Sequence, residues 1–235
     1  MHSSVIVVAA GQGARLGGGT PKAFVPLGGI PMVVHPLRTL THLAGVSAVI
    51  LVVGADHVAQ ARAVVERYGP WPVAIQVARG GAERQDSVAA GLAALDVRTD
   101  VVMVHDAARP FVSPAIVAAC ASAAVTHGAA IVAVPVRDTV KVVEDHAIMH
   151  TLDRQRIWLA QTPQAFHTTI LQSAYMQARR DRVVATDDAA LVERLGATVR
   201  IIPGEPTNLK ITTPDDLRWA EWYLATRGSA AGGST

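Results

Sequence analysis

The stretch VIVVAAGQGARLGGGTPKAF, residues 5–24, indicates the architecture of this chain more directly than any other. Its first four residues are a β-branched run that predicts a buried strand, and the glycine-rich segment after them predicts a turn at the end of that strand. Glycines at 11, 13, 17, 18 and 19 allow backbone N–H groups to turn toward an anion, and Arg15 and Lys22 add two positive charges. The stretch therefore predicts a strand followed by a loop that binds a triphosphate.

Two other phosphate-binding patterns fit this loop less well. The dinucleotide fingerprint requires a third glycine where Leu16 stands, and an acid about 20 residues further on to bind a ribose hydroxyl. A Walker loop requires glycine before its lysine and Ser or Thr after it, whereas Lys22 lies between Pro21 and Ala23. On this segment alone, a glycine-rich surface turn with two solvated cations remains the alternative.

Beyond the loop, short β-branched runs alternate with amphipathic stretches, which predicts βαβ units with right-handed crossovers. Aromatic residues are only 4% of the chain, so Val, Ile, Leu and Ala must form the core, as is typical of parallel sheets covered by helices. The predicted fold class is α/β, a Rossmann-like, mostly parallel sheet flanked by helices. The predicted strands are 4–9, 48–53, 73–77, 100–105, 130–134 and 198–202, and the predicted helices are 31–43, 58–68, 85–95 and 114–127.

One stretch departs from this alternation. Residues 139–151 contain two alternating runs on either side of Glu144-Asp145-His146, which predicts a β-hairpin that protrudes from the sheet and needs a partner surface. A last helix is expected to begin at Thr213, with Pro214 in its first turn, and the Gly-, Ser- and Ala-rich tail is expected to be disordered. We therefore expect one domain over 1–225, including a dimerisation arm at 137–156, and a disordered tail at 226–235.

Composition excludes several classes of protein. The formal net charge is +2, with no basic stripe of the kind that a nucleic-acid partner requires. The single cysteine, Cys120, lies in an apolar stretch, which predicts a small buried side chain and no disulfide framework, as in a reducing cytosol. The apolar runs are shorter than the roughly 20 residues of a membrane span, and no signal segment opens the chain. We expect a cytoplasmic protein with no membrane partner.

A candidate metal ligand follows another predicted strand. Asp106 follows the apolar run 101–104 and His105, at the carboxyl end of the predicted strand, where α/β sheets hold ligands. Magnesium bound to a nucleotide takes one or two carboxylates plus phosphate oxygens and water, so a single aspartate is sufficient. Two more segments, 158–164 and 208–212, are expected to bring polar groups and Lys210 to further strand ends. His105 is interpreted as a packed imidazole and receives no role.

Seven segments of the sequence form a recognisable set: AAGQGARLGGGTPKAF (9–24), GGAERQDSV (80–88), HDAARPFV (105–112), VRDTVK (136–141), LDRQRIWLAQTPQAF (152–166), ATDDAALVERLG (185–196) and NLKITTPDDL (208–217). Together, and in this order, they resemble the 2-C-methyl-D-erythritol 4-phosphate cytidylyltransferase family. The first segment is shared by many sugar-phosphate nucleotidyltransferases, whereas the combination of HDAARP, TPQAF and NLKIT is much narrower. The resemblance implies a nucleotide-diphospho-sugar transferase type of fold and the transfer of CMP from CTP to methylerythritol phosphate, with release of pyrophosphate.

The resemblance also implies residue roles. Arg15, Lys22 and Lys210 would be catalytic through the CTP phosphates and the transition state, and Asp106 would bind Mg²⁺. The implied homodimer has composite sites, because the hairpin arm of one subunit would contribute to the site of its neighbour. The implied nucleotide-binding residues are Ala9, Ala10, Gly11, Gly13, Gly80, Gly81, Arg84 and Ser87. The implied sugar-phosphate-binding residues are Arg109, Thr139, Arg154, Thr186 and Lys210, of which Thr139 and Arg154 come from the neighbouring arm.

Some interpretations stay open. Thr207 stands where some family members carry an acid, so it either holds a metal-bound water or is an ordinary loop residue. Asp187 and Asp188 are interpreted as first-turn acids of a helix capped by Thr186, in preference to metal ligands. The nearest alternative function is a cytidylyltransferase for another alditol phosphate, such as ribitol 5-phosphate. A dinucleotide-dependent oxidoreductase and a non-enzymatic nucleotide-binding regulator are the alternatives from other classes.

Overall fold

The computed structural model describes residues 2–11, 13 and 19–231, and the sequence prediction for Arg15 lies outside them. The strands in the described part are β1 (Ser3–Ala9), β2 (Pro26–Leu27), β3 (Ile30–Pro31), β4 (Val46–Val53), β5 (Ala74–Arg79), β6 (Val101–Asp106), β7 (Ala129–Pro135), β8 (Lys141–Glu144), β9 (Ala147–Thr151), β10 (Trp158–His167) and β11 (Arg200–Pro203). The α-helices there are α1 (Val34–Thr41), α2 (Val58–Tyr68), α3 (Arg84–Ala93), α4 (Pro114–His127), α5 (Thr168–Asp181), α6 (Asp188–Glu193) and α7 (Pro214–Ala231).

The central sheet has seven strands in the order β11-β7-β10-β6-β1-β4-β5. All pairings are parallel except those of β10, which runs antiparallel to both β6 and β7. The predicted class, a mostly parallel α/β sheet, is therefore confirmed. The chain adds β4 on one side of β1 and β6 on the other, so the strand order reverses beside β1. Open α/β sheets bind ligands at the carboxyl ends of strands at such a position.

Helices cover both faces of the sheet. Val5 and Val7 of β1 pack in one apolar layer with helices α1 and α4, while Ile6 packs in the opposite layer with helices α3 and α5. All three side chains are fully buried, which explains why the strand reads as a continuous apolar run without alternation. Cys120 of α4 is also fully buried, as predicted.

The C-terminal helix α7 closes the carboxyl edge of the sheet. Its residue Ala220 is buried with Phe111 and Ile211, so the helix packs on the loops that follow β6 and β11. The Tyr223 ring meets the Phe111 ring edge-on, with their centroids 4.9 Å apart. These contacts hold two loops of the sheet edge together. Within the described part of the chain, no helix is long and apolar enough to cross a membrane.

The sequence prediction missed β10 and α5. Residues 158–164 belong to strand β10 itself, whereas we expected them at the end of a strand, so that expectation was wrong. Helix α1 begins at Val34, three residues later than predicted, because Ile30–Pro31 pairs with Pro26–Leu27 in a small antiparallel hairpin.

The predicted hairpin arm is present as the antiparallel pair β8 and β9. Its turn residues Asp145 and His146 have φ angles of 46° and 64°, the left-handed conformations of a tight hairpin turn. At the C-terminus, α7 continues to Ala231, six residues into the segment for which we expected disorder, and residues 232–235 lie outside the described part. The division into a domain and a tail stays a prediction.

Candidate active site

Two adjoining cavities open at the carboxyl edge of the sheet, with volumes of about 200 Å³ and about 230 Å³. Arg84, Asp106 and Lys210 line both, so these side chains form the shared wall. Of the predicted site residues, the first cavity is lined by Ala9, Ala10, Gly11, Lys22, Gly81, Arg84, Ser87, Asp106 and Lys210. The second cavity is lined by Arg84, Asp106, Arg109, Thr186 and Lys210.

The carboxylate of Asp106 is the centre of this wall. Lys210 Nζ lies 2.7 Å from Oδ2, and Arg84 Nε lies 3.3 Å from Oδ1. Arg109 Nε lies 4.0 Å from Oδ2. Burial alone would raise the pKa of Asp106, but Lys210 and Arg84 hold the pKa of this carboxyl well below its usual range. Three cations around one carboxylate give a site with excess positive charge, which suits phosphate groups.

Buried polar groups hold Asp106 in place. Its backbone N–H donates to Thr162 Oγ1 at 3.0 Å, and Thr162 Oγ1 lies 3.1 Å from His105 Nδ1. The Thr162 hydroxyl therefore donates to His105 Nδ1, and His105 Nε2–H donates to the Arg109 carbonyl at 3.2 Å. Burial lowers the pKa of His105 to about 4, so the imidazole is neutral near pH 7. The interpretation of His105 as a packed imidazole is confirmed.

Lys210 belongs to a loop that is tied to both neighbouring strands. Arg109 Nη1 donates to the Asn208 carbonyl at 2.8 Å, and the Asn208 side-chain amide donates to the Thr162 carbonyl at 2.9 Å. The Ile211 N–H donates to the Ala108 carbonyl at 2.9 Å. These bonds fix the backbone on both sides of Lys210. The conformation of the loop therefore directs the ammonium toward Asp106, in addition to the attraction between the two charges.

Arg109 has two roles in this geometry. Its Nη atoms donate to the carbonyls of Asn208 and Ala160, which makes it a brace between the loop and β10. Its Nε is buried and has no hydrogen-bond partner among the described residues. A buried donor of this kind is costly unless it is paired. The nearest compensation for this Nε is the Asp106 carboxylate at 4.0 Å, while the Nη atoms of Arg109 hold the loop.

Glycines allow close backbone approach beside the first cavity. Gly13 has a φ of +69°, and a Cβ at this position would lie 2.7 Å from the Cβ of Lys22. A Cβ on Gly80 would lie 2.6 Å from Ser87 Oγ, where β5 passes into α3. Larger residues at either position would displace a side chain that lines the cavity. The two glycines are thus tied to the site through their neighbours.

The structure does not bring every predicted residue to the cavities. Thr139 and Arg154 are exposed on the arm and line neither cavity, and Arg154 Nη1 donates to the Arg137 carbonyl at 2.8 Å. Their predicted place in the site of a neighbouring subunit is untested by a single chain. The Thr207 hydroxyl donates to Glu205 Oε2 at 3.4 Å and faces neither cavity.

The start of α6 differs from the sequence interpretation. The cap is Asp187, whose side chain accepts the Ala190 N–H at 3.0 Å, so the assignment of the cap to Thr186 was wrong. Asp188 in the first turn is fully buried and contacts Arg84 Nη2 at 2.8 Å. Sequence reasoning gave no role to Thr162 or Tyr175, and it interpreted Asp188 only as a first-turn acid. Their contacts link segments far apart in the chain, so a local pattern does not reveal them.

The assignment of Asp106 as a metal ligand stays a prediction. Among the described residues there is no group of three or more His, Cys, Asp or Glu side chains that could hold a metal ion. A divalent cation at Asp106 would therefore depend on oxygen ligands from a substrate. Magnesium in nucleotide sites is bound in this way, through one or two carboxylates and phosphate oxygens.

The Thr162 hydroxyl provides a test of the bonds that hold Asp106. We expect Thr162→Val to lower the free energy of unfolding by about 1–3 kcal/mol, because it leaves the buried Asp106 N–H and His105 Nδ1 without partners. Thr162→Ser retains the hydroxyl and is the matched control. Urea unfolding of the three proteins measures the difference, and equal stabilities for the valine and serine variants would contradict this hydrogen-bond assignment.

Comparisons with known proteins agree with this geometry. A protein from Pelotomaculum thermopropionicum named 2-C-methyl-D-erythritol 4-phosphate cytidylyltransferase is 46% identical over 226 residues, which cover 95% of this chain and 94% of the relative. The crystal structure of the Thermus thermophilus protein of the same name has a TM-score of 0.79 at 36% identity, covering 96% of this chain and all of that chain. The structure of 4-diphosphocytidyl-2C-methyl-D-erythritol synthase from Anaerococcus prevotii has a TM-score of 0.84 at 30% identity, covering 95% of this chain and 98% of that chain. The family model matches residues 3–226, and the chain belongs to the 2-C-methyl-D-erythritol 4-phosphate cytidylyltransferase family.

Proposed function

We propose that this chain transfers CMP from CTP to 2-C-methyl-D-erythritol 4-phosphate, releasing pyrophosphate and giving 4-diphosphocytidyl-2-C-methyl-D-erythritol for isoprenoid precursor synthesis by the non-mevalonate route. The observation that carries the proposal is the wall of Arg84, Asp106 and Lys210 between two cavities. A transfer between two phosphorylated substrates requires two adjoining sites with cations at the junction. The family membership supplies the identities of the substrates.

The first cavity is the site that we assign to CTP. The turn after β1 gives it backbone N–H groups at Ala10 and Gly11, and Lys22 gives it a cation for the phosphates. Gly81 and Ser87, at the turn between β5 and α3, line the opposite side. The second cavity, with Arg109 and Thr186, is assigned to the acceptor sugar phosphate.

The residues at the junction can support the reaction without a general base. The second pKa of a phosphate monoester is near 6, so near neutral pH the acceptor is already largely a dianion and can attack the α-phosphorus directly. The barrier is then electrostatic, because an anion approaches a polyanion and charge shifts onto the departing pyrophosphate. Lys22, Lys210 and Arg84 would stabilise this charge, together with Arg15, which lies outside the described residues.

The divalent cation in this proposal is Mg²⁺, held by Asp106 and by substrate phosphates. The carboxylate borders both cavities and has lone pairs beyond those that Lys210 and Arg84 use. When bound, magnesium would neutralise phosphate charge and orient the phosphates. Asp106 would therefore serve both the metal and the two cationic side chains at the junction.

A homodimer is part of the same proposal. The arm, residues 137–156, extends from the rest of the predicted domain, which spans residues 1–225. It exposes Val143, Ile148 and Met149, whose side chains are each more than half accessible. An exposed apolar strand pair of this kind needs a covering surface. A second copy would cover the arm and bring Thr139 and Arg154 to its neighbour's second cavity.

We propose the cytoplasm as the location of this enzyme.

The substrates can be tested by pyrophosphate release from the full-length chain with Mg²⁺. We expect release with CTP and methylerythritol phosphate, and much slower release with ATP, GTP or UTP, because the related proteins are named cytidylyltransferases. Ribitol 5-phosphate is the control acceptor, since the named relatives carry the name of methylerythritol phosphate. Preference for ribitol 5-phosphate would change the assigned acceptor, and no release with any alditol phosphate would overturn the proposed function.

The junction cations can be tested by substitution. We expect Lys22→Ala and Lys210→Ala each to lower kcat by about a hundredfold or more, the usual cost of removing one preorganised electrostatic donor. The fold should persist in Lys22→Ala, because Lys22 faces the first cavity, whereas Lys210→Ala also takes a cation from the buried Asp106 and should lower stability. Arg98→Ala is the matched control, since its side chain is 76% exposed and, among the described residues, pairs only with Asp96. Near-normal turnover in either lysine variant would remove that residue from catalysis.

A further inference from the structure

A second carboxylate lies behind the wall between the cavities. Asp188 is fully buried, and its Oδ2 accepts a hydrogen bond from Arg84 Nη2 at 2.8 Å. Its Oδ1 accepts a hydrogen bond from the Tyr175 hydroxyl at 2.5 Å. Both oxygens of Asp188 are therefore occupied, one by a cation of the junction and one by a hydroxyl from the helix layer beneath it.

The backbone of Asp188 is fixed as well. Gln164 of β10 accepts the N–H groups of Asp188 and Ala189 at its Oε1, each at 3.1 Å. The Gln164 amide also donates to Asp187 Oδ2 at 2.8 Å. Strand β10, helix α5 and helix α6 thus determine together where the Asp188 carboxylate lies. None of these contacts touches the inside of the first cavity.

This arrangement leaves Arg84 little freedom. A fully buried carboxylate is stable only when it is paired and hydrogen-bonded, so moving Arg84 away from Asp188 would be costly. Burial and the neighbouring Asp188 both raise the pKa of Tyr175, so its hydroxyl remains a donor near neutral pH. With Nη2 held by Asp188, the Arg84 guanidinium turns its Nε toward Asp106 at 3.3 Å. The remaining N–H groups can reach ligands in either cavity.

We propose that Asp188 and Tyr175 are positioning residues that hold the Arg84 guanidinium at the junction of the two cavities. The inference rests on the proposed function, because it is the phosphates of that reaction that Arg84 would meet. Arg84 can exchange Asp106 for a phosphate, and Asp106 can exchange Arg84 for a metal ion, whereas Asp188, with no access to solvent, keeps its hold on Arg84 throughout. Arg84 then needs no reorientation when the substrates bind, which is the physical basis of electrostatic preorganisation.

Activity measurements on a double-mutant cycle test this role. We expect Tyr175→Phe to lower kcat/KM by about tenfold, since it removes one hydrogen bond to a charged group. Asp188→Asn should lower it by about a hundredfold, the scale of a misplaced functional group. In the Arg84→Ala background, both substitutions should have almost no further effect. Equal losses in both backgrounds would mean that Tyr175 and Asp188 act independently of Arg84 and would overturn the proposal.

Thermal unfolding separates positioning from a general loss of structure. Arg84→Ala leaves the buried Asp188 without its cation, so we expect the melting temperature to fall and to recover in part when Asp188→Asn is added. Tyr68→Phe is the matched control, because Tyr68 is packed in the opposite layer and its hydroxyl makes no hydrogen bond to any described residue. Its kcat/KM should equal that of the unchanged chain. If Asp188→Asn, added to Arg84→Ala, lowered the melting temperature further, that result would contradict the assigned pairing of Arg84 with Asp188.

A readout without catalysis keeps this inference distinct from the proposed function. In a ¹⁵N-labelled full-length chain, the Arg84 Nε–H should give a resolved resonance, identified by its loss in Arg84→Lys. We expect that resonance to shift or broaden in Tyr175→Phe and to remain unchanged in Tyr68→Phe. An unaltered Arg84 resonance in Tyr175→Phe would overturn the positioning role even if the enzyme is active. A chain that releases no pyrophosphate but shows the expected shift would overturn only the function.

Discussion

A buried carboxylate that must be neutralised is the constraint on which the site depends. Asp106 is almost enclosed, and in that environment a negative charge is stable only beside cations. Lys210 and Arg84 pair directly with the Asp106 carboxylate, and they come from two turns that the sheet brings to the same edge. The cations that stabilise the Asp106 carboxylate are therefore also the positive charges that a phosphate transfer needs.

One antiparallel strand of the sheet positions several of the groups around Asp106. Strand β10 enters the sheet between β6 and β7, so that Thr162 lies beside Asp106 and its hydroxyl accepts the Asp106 N–H. The same strand contributes Gln164 to the start of α6 and a carbonyl to the Asn208 side chain. A wholly parallel sheet would have put residues 161–164 at a different position. The irregular pairing between Ala160 and Gln164 leaves these polar groups available to the site.

Much of this could be predicted from the sequence, where the signal is local. The apolar run before the glycine-rich turn predicted β1, and a second apolar run ahead of Asp106 predicted β6. Each of these strands reads as a short β-branched segment. The glycine-rich loop predicted Lys22 as a phosphate-binding cation, and the family resemblance implied catalytic roles for Lys22 and Lys210. The structure brings both residues to the first cavity. Asp188 was interpreted only as a helix-start acid, since its partners Arg84 and Tyr175 are distant in sequence. Burial of a charge is a property of packing, which no local pattern contains.

The central claim is that the reacting phosphates meet at the wall formed by Arg84, Asp106 and Lys210. A crystal structure of the chain with a non-hydrolysable CTP analogue, Mg²⁺ and the acceptor sugar phosphate tests it most directly. The account predicts the acceptor oxygen about 3–3.5 Å from the α-phosphorus, a near-attack separation, with Lys210 and Arg84 beside it. An α-phosphorus bound away from Asp106, with the acceptor on another face of the sheet, would contradict it.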